Sequence, residues 1–262
     1  MLFRSNLDWG MAGSPLVLGD KVIVNPGIDE ANNARQAVAA YDRKTGKRLW
    51  ASGEHKAGYS SPQLATLAGK SQILLFDAGG LAGFDPDVGT ELWRHPWETF
   101  NNMNIIQPLV FGDDRVFISS ELSNGCAMLR VTRQGDKFAV ETVWANKQMG
   151  ARYCNPVAFA GHIFGLSNGF LVCLDEATGK RVWKDGRYGN GQLVRSGSLL
   201  VVTSEAGEVA LVAADPERYR ELAKLRLFDA SKTWNTPALA GNQLFVRNHE
   251  ELACLELPAK AD

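Results

Sequence analysis

The sequence predicts an all-β fold, a β-propeller of four-stranded blades with six repeats present. A turn signature returns almost unchanged, a proline opens a strand at nearly constant spacing, and 26 glycines in 262 residues suit many tight turns. The signature runs from Asp42 through Gly46 to Trp50, from Asp85 through Gly89 to Trp93, and from Asp175 through Gly179 to Trp183. An apolar stretch precedes each copy: Ala37 to Tyr41, Leu81 to Phe84 and Leu171 to Leu174. This is a hairpin. The Asp side chain accepts from turn amides, Gly takes the left-handed position, and a new strand ends at Trp.

The prolines Pro15, Pro62, Pro108, Pro156 and Pro237 each precede an apolar stretch. Proline is tolerated at a strand start, not within a central ladder. The longer interval before Pro237 holds a repeat without proline, beginning at Gln192-Leu193-Val194. Second strands are predicted at Lys21 to Val24, Gln72 to Phe76, Arg115 to Ser119, His162 to Leu166, Ser198 to Thr203 and Gln243 to Arg247. Fourth strands are predicted to end at Trp50, Trp93, Trp144 and Trp183. One propeller domain over 1–262 divides into repeats at approximately 6–50, 51–93, 94–144, 145–183, 184–225 and 226–262. A large ring fills the wedge between twisted sheets, so the tryptophans are expected in the core.

Composition narrows function by exclusion. A net charge of −1 leaves no electrostatic footprint for nucleic acid, and no apolar run is long enough to span a bilayer. Cys126, Cys154, Cys173 and Cys254 stand apart, without zinc or redox spacing. Cys173 and Cys254 occupy matching strand positions and are expected as small core residues. His55, His95, His162 and His249 lack ligand spacing, and Gly79-Gly80 and Gly189-Asn190-Gly191 read as turns.

In such a blade, the loop entering the first strand and the turn between the second and third strands share one face. That places Tyr59, Asn104, Arg152, Tyr153, Asn190, Gln192, Trp234 and Asn235 near one mouth of the channel. The mid-blade turns add Asn168, Glu205, His249, Glu250 and the segment Asn25 to Gln36. Aromatic, amide and acidic groups at a ring mouth suit a protein or small-molecule ligand.

The stretches Ala39-Ala40-Tyr41-Asp42 to Trp50 and Val172-Cys173-Leu174-Asp175 to Trp183 resemble the pyrroloquinoline-quinone-like propeller repeat, with its tryptophan docking motif. Gly207 to Glu217 and Thr236 to Arg247 resemble the closing blades of planctomycete-type propellers with this repeat. The resemblance implies an extracytoplasmic or periplasmic protein, usually with a signal and about two further blades upstream, so a ring of about eight. The chain is expected to be the C-terminal six repeats of such a ring. Alternatively Phe3, placed before Pro15 as Trp50 is before Pro62, lets residues 1–5 close a smaller ring.

Two functions follow from the resemblance. One is a non-catalytic binding or scaffold propeller, similar in role to the outer-membrane assembly propeller, with no cofactor. The alternative is a pyrroloquinoline-quinone-dependent dehydrogenase, or a fragment of one, oxidising an alcohol or sugar with calcium beside the quinone. Those enzymes carry an adjacent cysteine pair, which this chain lacks, and their calcium ligands cannot be mapped onto it. No catalytic or metal-binding residue is assigned.

Overall fold

A computed structural model describes residues 7–27, 36–121, 124–229 and 232–257. The expectations placed on residues 1–5, including Phe3, and on residues 28–35 of the Asn25 to Gln36 segment lie outside the described residues.

The chain forms two compact units, Met1–Ala145 and Asn146–Asp262. The first holds three sheets. Blade 1 is β1 (Leu16–Leu18), β2 (Lys21–Val24), β3 (Val38–Asp42) and β4 (Arg48–Ser52). Blade 2 is β5 (Gln63–Leu67), β6 (Lys70–Asp77), β7 (Gly80–Phe84) and β8 (Glu91–Pro96). Blade 3 is β9 (Leu109–Phe111), β10 (Arg115–Ser120), β11 (Gly125–Gln134) and β12 (Lys137–Asn146). The second unit holds blade 4, β13 (Val157–Phe159), β14 (His162–Ser167), β15 (Phe170–Asp175) and β16 (Arg181–Arg187). Blade 5 follows as β17 (Gln192–Ser196), β18 (Leu199–Thr203), β19 (Glu208–Ala213) and β20 (Glu221–Arg226). Blade 6 has three strands among the described residues, β21 (Ala238–Ala240), β22 (Gln243–Arg247) and β23 (Leu252–Glu256). Each sheet is an antiparallel meander in sequence order. These are the blades of a propeller fold. Each of the five prolines stands one residue before its strand.

The turn signature folds as its residue types require. Asp42 Oδ1 accepts from the Thr45 amide and hydroxyl, both at 2.7 Å. Asp175 Oδ1 does the same with Thr178 at 2.8 and 2.6 Å. Asp85 accepts from the amides of Asp87 and Val88 at 2.8 and 3.2 Å. The glycines that follow have φ of +69°, +76° and +69°. Gly89 is constrained twice, because a Cβ there would strike the Trp50 ring of blade 1.

All three carboxyls are held below their ordinary value of 3.8, through the Thr45 hydroxyl for Asp42, Lys70 for Asp85 and the Thr178 hydroxyl for Asp175. A carboxyl with a lowered folded pKa gives stability that is full above the unfolded value and is lost as pH falls toward the folded one. Thermal melts from about pH 5 to about pH 2 should therefore show falling stability. Asp175→Ala should cost about 1 kcal/mol at neutral pH, at the low end because solvent reaches the carboxylate, and should flatten that decline.

One expectation needs correcting. The fourth strands do not end at the tryptophans; they run on to Ser52, Pro96, Asn146 and Arg187. The reason is a bulge. Trp50, Trp93 and Trp183 pair across to the small residues Ala40, Gly83 and Cys173, and in each blade the register slips immediately beside that pair. The slip sets Leu49, Leu92 and Val182 out of the ladder, so Leu49 and Val182 are exposed. The small partner makes room for the indole, and pairing then resumes beyond it.

Within each unit, cores lie between neighbouring blades. In the first unit, Ile23, Val38 and Ala40 of blade 1 meet Ile73, Leu75, Ala82 and Phe84 of blade 2, with Trp50 packed on them. In the second, Phe164, Leu171 and Cys173 of blade 4 meet Leu200, Val202 and Val212 of blade 5. Val201 and Val209 then meet Leu244 and Val246 of blade 6. Each fully buried Leu or Phe contributes about 1.5–3 kcal/mol. Cys254 corrects a second expectation. It is exposed, whereas Cys173 is buried, because no further sheet of the second unit, among the described residues, covers that face of blade 6. The outer strand β20 is exposed throughout, and Glu221, Lys224 and Arg226 blunt its edge against unwanted pairing.

Candidate functional site

Five of the predicted mouth residues come together in the second unit, around Glu205. This glutamate sits in the turn between β18 and β19. Its amide donates to the Tyr188 carbonyl at 2.9 Å, and its carbonyl accepts from the Thr233 amide at 3.1 Å. The segment leaving blade 4 and the loop entering blade 6 are thus both tied to the same turn of blade 5.

The Glu205 carboxylate is fully engaged. Trp234 Nε1 donates to one oxygen at 2.9 Å, and the Asn190 amide donates to the other at 3.1 Å. Asn190 Nδ2 lies 3.3 Å from both. The Asn190 amide, with help from Trp234, Asn190 Nδ2 and Lys232, holds the carboxyl below its ordinary value against the effect of burial. Glu205 is therefore an ionised anchor.

Gln192 ties the entering loops together. It is buried, its Nε2 donates to the Tyr153 carbonyl at 2.9 Å, and its Oε1 accepts from Thr236 Oγ1 at 3.0 Å. Tyr153 stacks on Trp234 with centroids 5.2 Å apart and planes at 29°. The Arg152 guanidinium lies 4.9 Å from the Tyr153 ring, and Lys232 Nζ lies 4.9 Å from the Trp234 ring. Trp234 remains 39% exposed. Its indole is fixed by a stack and a charge-assisted hydrogen bond yet reaches solvent, as recognition aromatics do. Asn235 follows, half-buried. Beside this group is a cavity of about 480 Å³ lined by Arg187, Tyr188, Gly189, Ser204, Glu205, Ala206, Glu208 and Lys232.

Tyr59 and Asn104 lie in the first unit, where the Tyr59 amide donates to the Asn104 carbonyl at 2.8 Å. Asn104 is buried. Its Nδ2 donates to the carbonyls of Asp77 and Trp97 at 2.8 and 2.9 Å, and its Oδ1 accepts from Ser120 Oγ at 2.9 Å. That amide holds a loop in place. Tyr59 is buried against Trp9 at 6.0 Å, and burial raises its phenol above the ordinary value. Of the mid-blade turn residues, Asn168 is exposed at φ +50°. His249 and Glu250 form an exposed pair at 3.3 Å.

The sequence profile of the family described as outer membrane protein assembly factor BamB matches residues 1–185. The chain belongs to that family. Among solved structures, BamB from Moraxella catarrhalis aligns with TM-score 0.50 at 15% identity, covering 95% of this chain and 96% of that one. The computationally designed protein Ika8 aligns with TM-score 0.65 at 13% identity, covering 95% of this chain and 71% of that one. The quinohemoprotein alcohol dehydrogenase from Comamonas testosteroni aligns with TM-score 0.57 at 11% identity, over 93% of this chain and 52% of that one. Identities this low establish the fold alone. No curated protein matches the sequence.

A calcium ion needs several oxygen ligands converging on one point, and in this BamB-family chain the acids of this face already have partners. Among the described residues, no three His, Cys, Asp or Glu side chains converge as metal ligands. Glu205, the acid nearest the stacked aromatics, already has both oxygens taken by N–H donors. Glu205 is thus engaged as the hydrogen-bond acceptor that ties its own loops together. Two residues of this face escaped the sequence reading, Arg187 and Lys232. Arg187 belongs to the stretch of β16 beyond Trp183, where the strand was expected to have ended. Lys232 was overshadowed by its neighbour Trp234. Among the described residues, no helix is long and apolar enough to cross a membrane.

Proposed function

We propose that this BamB-family chain is a non-catalytic, extracytoplasmic propeller that binds another protein, as a scaffold or assembly component. The observation that carries this reading is the state of Trp234, exposed over 39% of its surface yet held by Tyr153 and by ionised Glu205. A rigid, solvent-reaching aromatic loses little conformational entropy on contact with a partner. Glu205 supports it as an anchor of the loop, not as a free acid.

The test is site-specific photo-crosslinking in cells from position 234, with position 225 on the exposed strand β20 as control. One dominant protein adduct from position 234, absent from position 225 and weakened by Glu205→Ala, is the expected result. Equal adducts from both positions, or none from position 234, would overturn the reading.

A further inference from the structure

We infer that the cavity beside Trp234 is a carboxylate-binding subsite for an acidic segment of the partner polypeptide. The inference rests on the binding reading above and names the chemistry of the partner.

The cavity holds two acids, both with partners, and two cations, of which Arg187 has no acid beside it. Glu205 has its charge met by Asn190 and Trp234. Glu208 accepts from Ser204 Oγ at 3.2 Å and has Arg226 at 3.9 Å. Arg187 makes no ion pair among the described residues, and Lys232 makes none within 4.0 Å, although its charge reaches Glu205 across the cavity and helps hold that carboxyl down. Arg187 rests 5.3 Å from the Phe170 ring, and Lys232 rests 4.9 Å from the Trp234 ring. With both acids already met by donors and cations and the Arg187 guanidinium still without an acid, the pocket attracts an anion at Arg187.

Geometry specifies which anion. Arg187 offers a planar fork of donors matched to a carboxylate, with Lys232 as a second positive charge on the same cavity. A volume of about 480 Å³ far exceeds a small inorganic ion and accommodates several peptide atoms beyond the carboxylate. Trp234 on the flank gives an apolar contact to a residue next to the acid. Gly189 faces the pocket where a Cβ would press on Glu205, so the wall is bare backbone there. The fitting ligand is an extended peptide with a glutamate or aspartate beside an apolar residue.

The probe is a capped hexapeptide carrying two glutamates around a leucine, with its glutamine twin, titrated by calorimetry against the whole chain. The acidic peptide should bind about tenfold or more tightly than the twin, and less tightly as salt rises. Arg187→Gln with Lys232→Gln should remove that preference, while melting near the wild-type temperature. Equal binding of the two peptides, or a preference that survives the double substitution, would overturn the inference. So would displacement of the peptide by equimolar acetate or inorganic phosphate, which would mark a small-anion pocket. Absence of peptide binding also overturns it, and crosslinks from position 234 then decide separately whether the wider binding reading stands.

Discussion

Alanine at Trp93 is expected to cost about 3–5 kcal/mol, read as a shift in the urea midpoint with unchanged slope. Trp93 is 5% exposed, and its Nε1 donates to Gln72 Oε1 at 2.6 Å. Gln72 is itself fully buried, with its Nε2 on the Leu67 carbonyl at 3.0 Å. Truncation therefore opens a cavity and strands a buried amide oxygen, and the two costs add. Trp50 provides the internal comparison, since its buried Nε1 has no acceptor among the described residues. Trp50→Phe should cost less than Trp93→Phe by about 1 kcal/mol, because only the second change breaks a hydrogen bond. A loss below about 1 kcal/mol for Trp93→Ala would contradict the packing described for blade 2.

Removing Arg94 should be as severe. Its guanidinium grips Asp77 through two bonds of 2.8 and 3.0 Å and also reaches Glu91. The Asp77 side chain is completely buried. Burial raises its carboxyl above the ordinary 3.8, against the pull of Arg94. Without Arg94 a buried charge loses its partner, at a cost of about 3–5 kcal/mol. The pH dependence has a definite sign. An acid whose folded pKa lies above its unfolded value binds more protons when folded, so stability rises as pH falls through the folded value. The Arg94→Ala deficit should be greatest at neutral pH and shrink on mild acidification. Adding Asp77→Asn should recover much of it. A deficit independent of pH would show that the buried charge is not its source.

Much of the fold was legible because its signals are local. The Asp–Gly–Trp hairpins and the strand-opening prolines act within a few residues, so the second strands Lys21–Val24 and Gln243–Arg247 were placed as they stand. The bulge beside each tryptophan was hidden. It depends on what sits across the ladder at Ala40, Gly83 and Cys173, which periodicity within one strand does not reveal. Burial of Cys254 was misjudged for a related reason, since matched strand positions share an environment only when the same neighbours follow.

The site was partly legible. Placing entering loops and mid-blade turns on one face grouped Asn190, Glu205 and Trp234, which hydrogen-bond to one another. It could not separate a residue that reaches solvent from one consumed by structure. Asn104 and Gln192 are both buried amides tying loops together, and nothing in their sequence neighbourhood distinguishes them from exposed Asn168. The Asp77–Arg94 pair went unseen because a strand end and a following strand gave no signal of charge.

The central claim, that this propeller binds without catalysing, is tested most directly by adding pyrroloquinoline quinone and calcium to the intact chain. The cofactor's absorbance and the reduction of an artificial dye by short alcohols are then recorded together. No stoichiometric uptake of the quinone and no dye reduction above the protein-free rate are expected. Tight stoichiometric binding with turnover that disappears on changing Arg152 or Trp234 would contradict that claim.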